Sequence, residues 1–129
     1  MQLKPLHTFW GKVISGAKRG KTLGFPTANV RLHKKIPEGI YAATVQVQQK
    51  TYYAATFIGS AKTFGEKDYK AESFILDFNE EIYGKWMTAR LYKKIRTNKK
   101  FNSAEELRAQ MKKDIKEIKF FLITYGAYK

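Results

Sequence analysis

Along residues 39–48 the chain alternates. Tyr41, Ala43, Val45 and Val47 fall on one side, and Ala42, Thr44, Gln46 and Gln48 on the other. A period of two places the first set on the buried face of a β-strand. A turn near Gln49-Lys50 leads into a second run, Thr51–Ile58, rich in aromatic and β-branched residues. Further strands are predicted over Phe9–Ile14, over Glu72–Phe78 with Phe74, Leu76 and Phe78 on one side, and over Trp86–Tyr92 after a turn at Tyr83-Gly84. Short strands at regular spacing predict a sandwich or a closed barrel. From Asn102 the period changes. Ser103 and Glu106 have the spacing of a capping box. Leu107, Met111, Ile115, Ile118 and Leu122 then recur every three or four residues, one apolar stripe of a helix with lysines opposite. The stripe predicts a helix packed on the strands.

A length of 129 residues suits one domain, residues 1–129, with one core. There is no cysteine, which excludes disulfides and thiolate metal sites and favours a reducing compartment. No apolar run is long enough for a membrane span and none resembles a signal peptide, so a cytoplasmic protein without membrane contact is expected. The net charge is +14. Composition alone leaves open a nucleic-acid binder, an enzyme drawing anionic nucleotides through its field, and a merely solvated basic surface. His7 and His33 sit in no ligand or triad pattern.

The segment Thr22-Leu23-Gly24-Phe25-Pro26-Thr27-Ala28-Asn29 narrows the choice. It follows a glycine- and base-rich run, Gly16-Ala17-Lys18-Arg19-Gly20-Lys21. Backbone amides around Gly16 and Gly20 can form an anion nest, with charge from Lys18, Arg19 and Lys21. Pro26 holds the chain extended, so the Thr27 hydroxyl and the Asn29 amide point the same way. Two such oxygens are hard ligands for a Mg²⁺ held mainly by phosphates. The spacing is not that of a Walker A loop, because Gly16 and Gly20 are one residue too close and Leu-Gly-Phe-Pro cannot open a long helix.

Together, Gly11, Val13, Gly16, Gly20 and Leu23 followed by Gly24-Phe25-Pro26-Thr27-Ala28-Asn29 resemble the opening of the riboflavin kinase family. Later stretches match in the same order: Gly39-Ile40-Tyr41-Ala42; Glu72 to Phe78 with Ile82-Tyr83-Gly84; and Ile95-Arg96 leading to Phe101-Asn102-Ser103. The resemblance runs from about Phe9 to the C-terminal helix. It implies a small six-stranded Greek-key β-barrel with a C-terminal helix against it. It also implies Mg²⁺-dependent transfer of the γ-phosphoryl group of ATP to the 5′-hydroxyl of riboflavin, giving FMN and ADP.

Carried over position by position, the resemblance makes Glu72 the general base and gives the metal to Thr27 and Asn29. Gly16, Gly20, Lys21, Gly24, Pro26 and Thr27 fall to the nucleotide, and Arg96, Phe101, Leu107 and Met111 to the flavin. Glu72 gains independent support, since an acid on an apolar strand face is costly unless paired or functional; burial would also raise its pKa toward that of a working base. Asp77 is read as structural. Two positions depart from the family pattern: Asn98 replaces a common acidic residue, and Lys62 replaces a proline. No His-x-Gly-His occurs, so kinase activity without FAD synthesis is expected, from a monomer. Two alternatives stay open: a basic nucleic-acid-binding barrel, and a flavin-binding module without catalysis.

Overall fold

The computed structural model describes residues 3–14, 26–59 and 70–126. Among them run strands β1 (His7–Lys12), β2 (Ala28–Arg31), β3 (Gly39–Val47), β4 (Lys50–Gly59), β5 (Lys70–Ile75) and β6 (Trp86–Arg96), then helix α1 (Ala104–Thr124). The strands form one antiparallel sheet in the order β1-β6-β3-β4-β5-β2. Just beyond β1, the Ile14 N–H donates to the Asn29 carbonyl at 2.8 Å, bringing the two edges together and nearly closing a barrel. The Greek-key barrel with an added helix is thus the observed fold.

The alternation of β3 sets the inside. Tyr41, Ala43, Val45 and Val47 are buried with Phe9, Val30, Ile58, Met87 and Leu91. The Tyr41 hydroxyl donates to the Pro37 carbonyl at 2.6 Å, and burial raises its pKa. Gly11 permits closure, since a Cβ there would sit 2.5 Å from the Val30 side chain. Gly39 has φ +151°, and a Cβ on it would lie 2.8 Å from the Arg96 carbonyl. A β-bulge follows between Ile40 and Tyr41.

Helix α1 lies on the outer wall. Ile118 and Leu122 cover Ala42, with Ile40, Tyr53, Ala55, Tyr92 and Ile95 around them. The Ser103 hydroxyl accepts from the Glu106 N–H at 3.1 Å, as the capping box requires. The Glu106 carboxylate, however, accepts from Asn102 rather than from Ser103.

Several boundaries differ from expectation. Strand β5 spans Lys70–Ile75, not Glu72–Phe78. Asp77, at φ 55°, turns the chain out of the strand, and Leu76 bonds the Tyr53 carbonyl. The face of Phe74, Leu76 and Phe78 therefore does not exist as a unit. Ala71, Ser73 and Ile75 point into the core, while Glu72 and Phe74 point outward. Strand β6 continues to Arg96, past the expected Tyr92, and β2 was foreseen only as an extended segment. The β3–β4 turn is Gln48-Gln49, one residue earlier than predicted, and both residues have positive φ.

Candidate active site

On the outer wall of the barrel, antiparallel register builds one row across five strands. Arg96 (β6) pairs with Ile40 (β3), Ile40 with Phe57 (β4), Phe57 with Glu72 (β5), and Glu72 with Asn29 (β2). Directly opposed residues share a face. At ~4.8 Å per strand the row follows the curved wall for about 19 Å from Arg96 to Asn29. A second row, Ala42, Ala55 and Phe74, runs beside it.

The helix turns this wall into a cavity. Ile118 and Leu122, toward its C-terminal end, rest on the barrel, while Leu107, Met111, Asp114 and Ile115 roof a space of about 830 Å³. Ile40, Ala55, Phe57 and Phe74 form its apolar floor. Thr27, Glu72, Arg96, Asn98 and Phe101 supply polar and aromatic edges. Lys99 and Lys100 stand at its edge as well, and the volume with a largely apolar surface is that of a small-molecule site.

The expected site residues fall as follows. Glu72, Thr27, Arg96, Phe101, Leu107 and Met111 all line the cavity. Asn29 is adjacent, opposite Glu72 and 4% exposed. Pro26 is exposed just before β2. Gly16, Gly20, Lys21, Gly24 and Lys62 lie outside the described residues.

Among the described residues, two buried amide oxygens lack a hydrogen-bond partner, Asn98 Oδ1 in the cavity and Asn29 Oδ1 beside Glu72. The Asn29 amide N–H donates to the Thr27 carbonyl at 3.3 Å, which orients the side chain. Its Oδ1 is buried and has no hydrogen-bond partner among the described residues. A buried amide oxygen without a donor costs roughly 1–3 kcal/mol. A hard cation would satisfy it, so the residues present fit Mg²⁺ with Thr27 beside it.

Arg96 has a second task. Its Nε lies 3.0 and 3.1 Å from the two carboxylate oxygens of Asp114 and its Nη2 lies 2.8 Å from Oδ2. Nη1 donates to the Thr97 carbonyl, and the guanidinium stands over the Phe101 ring at 5.7 Å. Gln110 also donates to Asp114 at 2.8 Å. This bidentate pair ties the end of β6 to the middle of the helix. Asp114 was missed in the sequence, although it lies in step with the apolar stripe, three residues after Met111 and four before Ile118. Asn98 donates to the Ile58 carbonyl at 3.3 Å, so the amide there braces β4 against the loop leading to the helix.

With this geometry in place, comparison with known proteins decides the family. The sequence model described as riboflavin kinase matches residues 3–122. The chain belongs to the riboflavin kinase family. It is 45% identical over 109 residues to the trifunctional protein RibF/MnmA of Mycoplasmoides gallisepticum, covering 82% of this chain and 17% of that one. It is 42% identical over 118 residues to the bifunctional riboflavin kinase/FMN adenylyltransferase of Bacillus subtilis, covering 86% of this chain and 37% of that one. The crystal structure of riboflavin kinase from Trypanosoma brucei superposes with a TM-score of 0.66 at 25% identity, covering 89% of this chain and 78% of that one. The chain thus spans well under half the length of these two bacterial relatives. Among the described residues, no helix is long and apolar enough to cross a membrane.

Proposed function

We propose that this chain is an ATP:riboflavin 5′-phosphotransferase, converting riboflavin and ATP to FMN and ADP. The observation that carries the reading is the cross-strand row from Arg96 to Asn29. It lines up an apolar slot, a carboxylate and an unsatisfied amide oxygen on one wall. The flavin ring lies on Ile40, Ala55, Phe57 and Phe74 beneath Leu107 and Met111, with Phe101 and Arg96 at its edge. Its ribityl chain runs along the row to Glu72. The run from Gly16 to Gly24, with Lys21, and Pro26 hold the nucleotide phosphates.

Glu72 accepts the proton of the ribityl hydroxyl as its oxygen forms the bond to the γ-phosphorus and the bond to ADP breaks. Thr27 and Asn29 would hold Mg²⁺, which when bound neutralises charge on the phosphoryl oxygens. Leu107, Met111 and Ile115 on the roof limit the access of water, which would otherwise compete as acceptor. The enzyme acts as a monomer, and the absence of cysteine accords with work in the cytoplasm.

The test is Glu72→Gln, which keeps shape and loses the base. Turnover should fall roughly 10²–10⁴-fold. Riboflavin affinity, read from flavin fluorescence quenching, should change much less, because the carboxylate acts mainly in the transition state. Equal losses in rate and affinity would make Glu72 a positioning residue. Near-normal turnover would remove it from the chemistry.

A further inference from the structure

The proposed kinase site leaves one large surface feature unused. The chain has two tryptophans, and both are exposed on the same outer face of the barrel: Trp10 is 67% exposed and Trp86 is 63% exposed. In the β1–β6 ladder Trp10 opposes Thr88, and Trp86 opposes Lys12. The two indoles are therefore diagonal neighbours, roughly 7–8 Å apart at the backbone. Alternation puts Thr8 on the same face of β1, and Thr88 and Arg90 on the same face of β6; Leu6, just before β1, is 62% exposed. The face continues onto β3 at Gln46, whose side chain accepts a hydrogen bond from Arg90. Lys85 and Tyr83 are exposed at its rim. None of these strand positions is acidic; Glu80 and Glu81 lie on the turn before Tyr83, where Glu81 caps the Tyr83 N–H at 3.0 Å. Trp86 and Arg96 stand at opposite ends of β6, ten residues and roughly 33 Å apart along the strand. The surface is therefore not part of the cavity.

Two large rings held in water, on rigid strands and beside cations, are costly unless something covers them. The net charge of +14 bears on what does. So basic a chain favours an anionic cover over a second copy of itself. The cover must also offer flat apolar faces to the indoles. A single-stranded nucleic acid does both: its bases stack on aromatic rings and its phosphates meet Lys12, Lys85 and Arg90. The spacing of the two indoles suits neighbouring unstacked bases.

We propose that the outer face of β1 and β6 binds single-stranded nucleic acid, with Trp10 and Trp86 as stacking platforms and Lys12 and Arg90 as phosphate contacts. This function is separate from the kinase reaction and stands whether or not that reading does. The test is fluorescence anisotropy of a labelled oligouridylate of about twelve nucleotides, with the Trp emission followed in the same titration. The wild-type chain should bind with quenching of its Trp emission. Affinity should fall roughly ten-fold between about 50 and 200 mM salt, as expected for two or three phosphate contacts. Trp10→Ala and Trp86→Ala should each loosen binding by roughly 5- to 150-fold, while Trp10→Phe, which keeps a ring face, should retain most of it. Circular dichroism and flavin binding should be unchanged in all three. The proposal is overturned by any of four results: no oligonucleotide binding at the lower salt; binding indifferent to both Trp replacements; equal, Trp-dependent binding of polyglutamate, which would mark an acidic protein surface as the partner; or sedimentation showing a dimer that the Trp replacements dissolve.

Discussion

Asp114→Ala should undock the roof of the cavity. The Arg96–Asp114 pair is close to dry, with side-chain exposures of 18% and 5% and a shortest contact of 2.8 Å. Removing one partner of a buried pair costs about 3–5 kcal/mol, mostly because the other charge is left stranded. Here Arg96 keeps its bond to the Thr97 carbonyl and can recover water from the open side of the cavity, so the cost falls to about 2–3 kcal/mol. For a domain of 129 residues, unfolding entropy of ~2.1 cal/mol/K per residue makes 1 kcal/mol worth about 4 °C. The melting temperature should drop by roughly 7–11 °C. Amide hydrogen exchange should locate the loss in residues 104–115, since Ile118 and Leu122 keep their own packing on Ala42. Riboflavin affinity should fall with it. Arg96→Met combined with Asp114→Ala should be no worse than Asp114→Ala alone, because the stranded charge is gone. A melting temperature within about 2 °C of the parent, with unchanged exchange over 104–115, would refute the view that this pair holds the helix over the site.

The other predictions concern different layers of the molecule. Thr27→Ala and Asn29→Ala should nearly abolish turnover. Asn29→Ala should also leave thermal stability within about 1 kcal/mol of the parent, since it removes an amide oxygen that has no partner among the described residues; a Mg²⁺-dependent thermal shift with ADP present should disappear in both. Replacing Gln48-Gln49, at φ 52° and 68°, by Asn-Gly should raise stability by about 1–2 kcal/mol in denaturant titrations, because this turn favours those residues and Gln is strained in it. His7 has its pKa lowered, first by burial and then by the charge of Lys34. Its unfolded form takes up a proton near pH 6.5 while the folded form resists. Stability should therefore be full above pH 6.5 and decline as pH falls below it, a slope that His7→Gln should remove from melting curves between about pH 7.5 and 5.5.

The sequence made the hairpin of β3 and β4 legible because its inner face is apolar without interruption from Tyr41 to Val47. The helix was legible because Ser103 caps it and Leu107 to Leu122 keep a helical period. The end of β5 was not. Phe74, Leu76 and Phe78 continue an alternation that the backbone abandons at Asp77, and a left-handed turn at a non-glycine leaves little mark in the residues. That misread the faces of β5: the core takes Ala71, Ser73 and Ile75, with the Ser73 and Thr56 hydroxyls bonded to each other at 2.8 Å. Glu72 lies instead on the outer wall, beside the cavity. The candidate site was visible as separate motifs, but not as a row. Only the register of four strand pairings shows that Arg96, Phe57, Glu72 and Asn29 share one line. Asp114 escaped because an acid within an apolar stripe reads as a break, when it is the place where the stripe meets Arg96.

Transfer of label from ATP to flavin tests the central claim most directly. The chain would be incubated with ATP labelled at the γ-phosphate, Mg²⁺ and riboflavin, and the flavins separated by chromatography. The account predicts that the label leaves ATP and appears in FMN, one label per flavin, with ADP formed in equal amount. A folded chain that binds riboflavin yet passes no label to it would contradict the account.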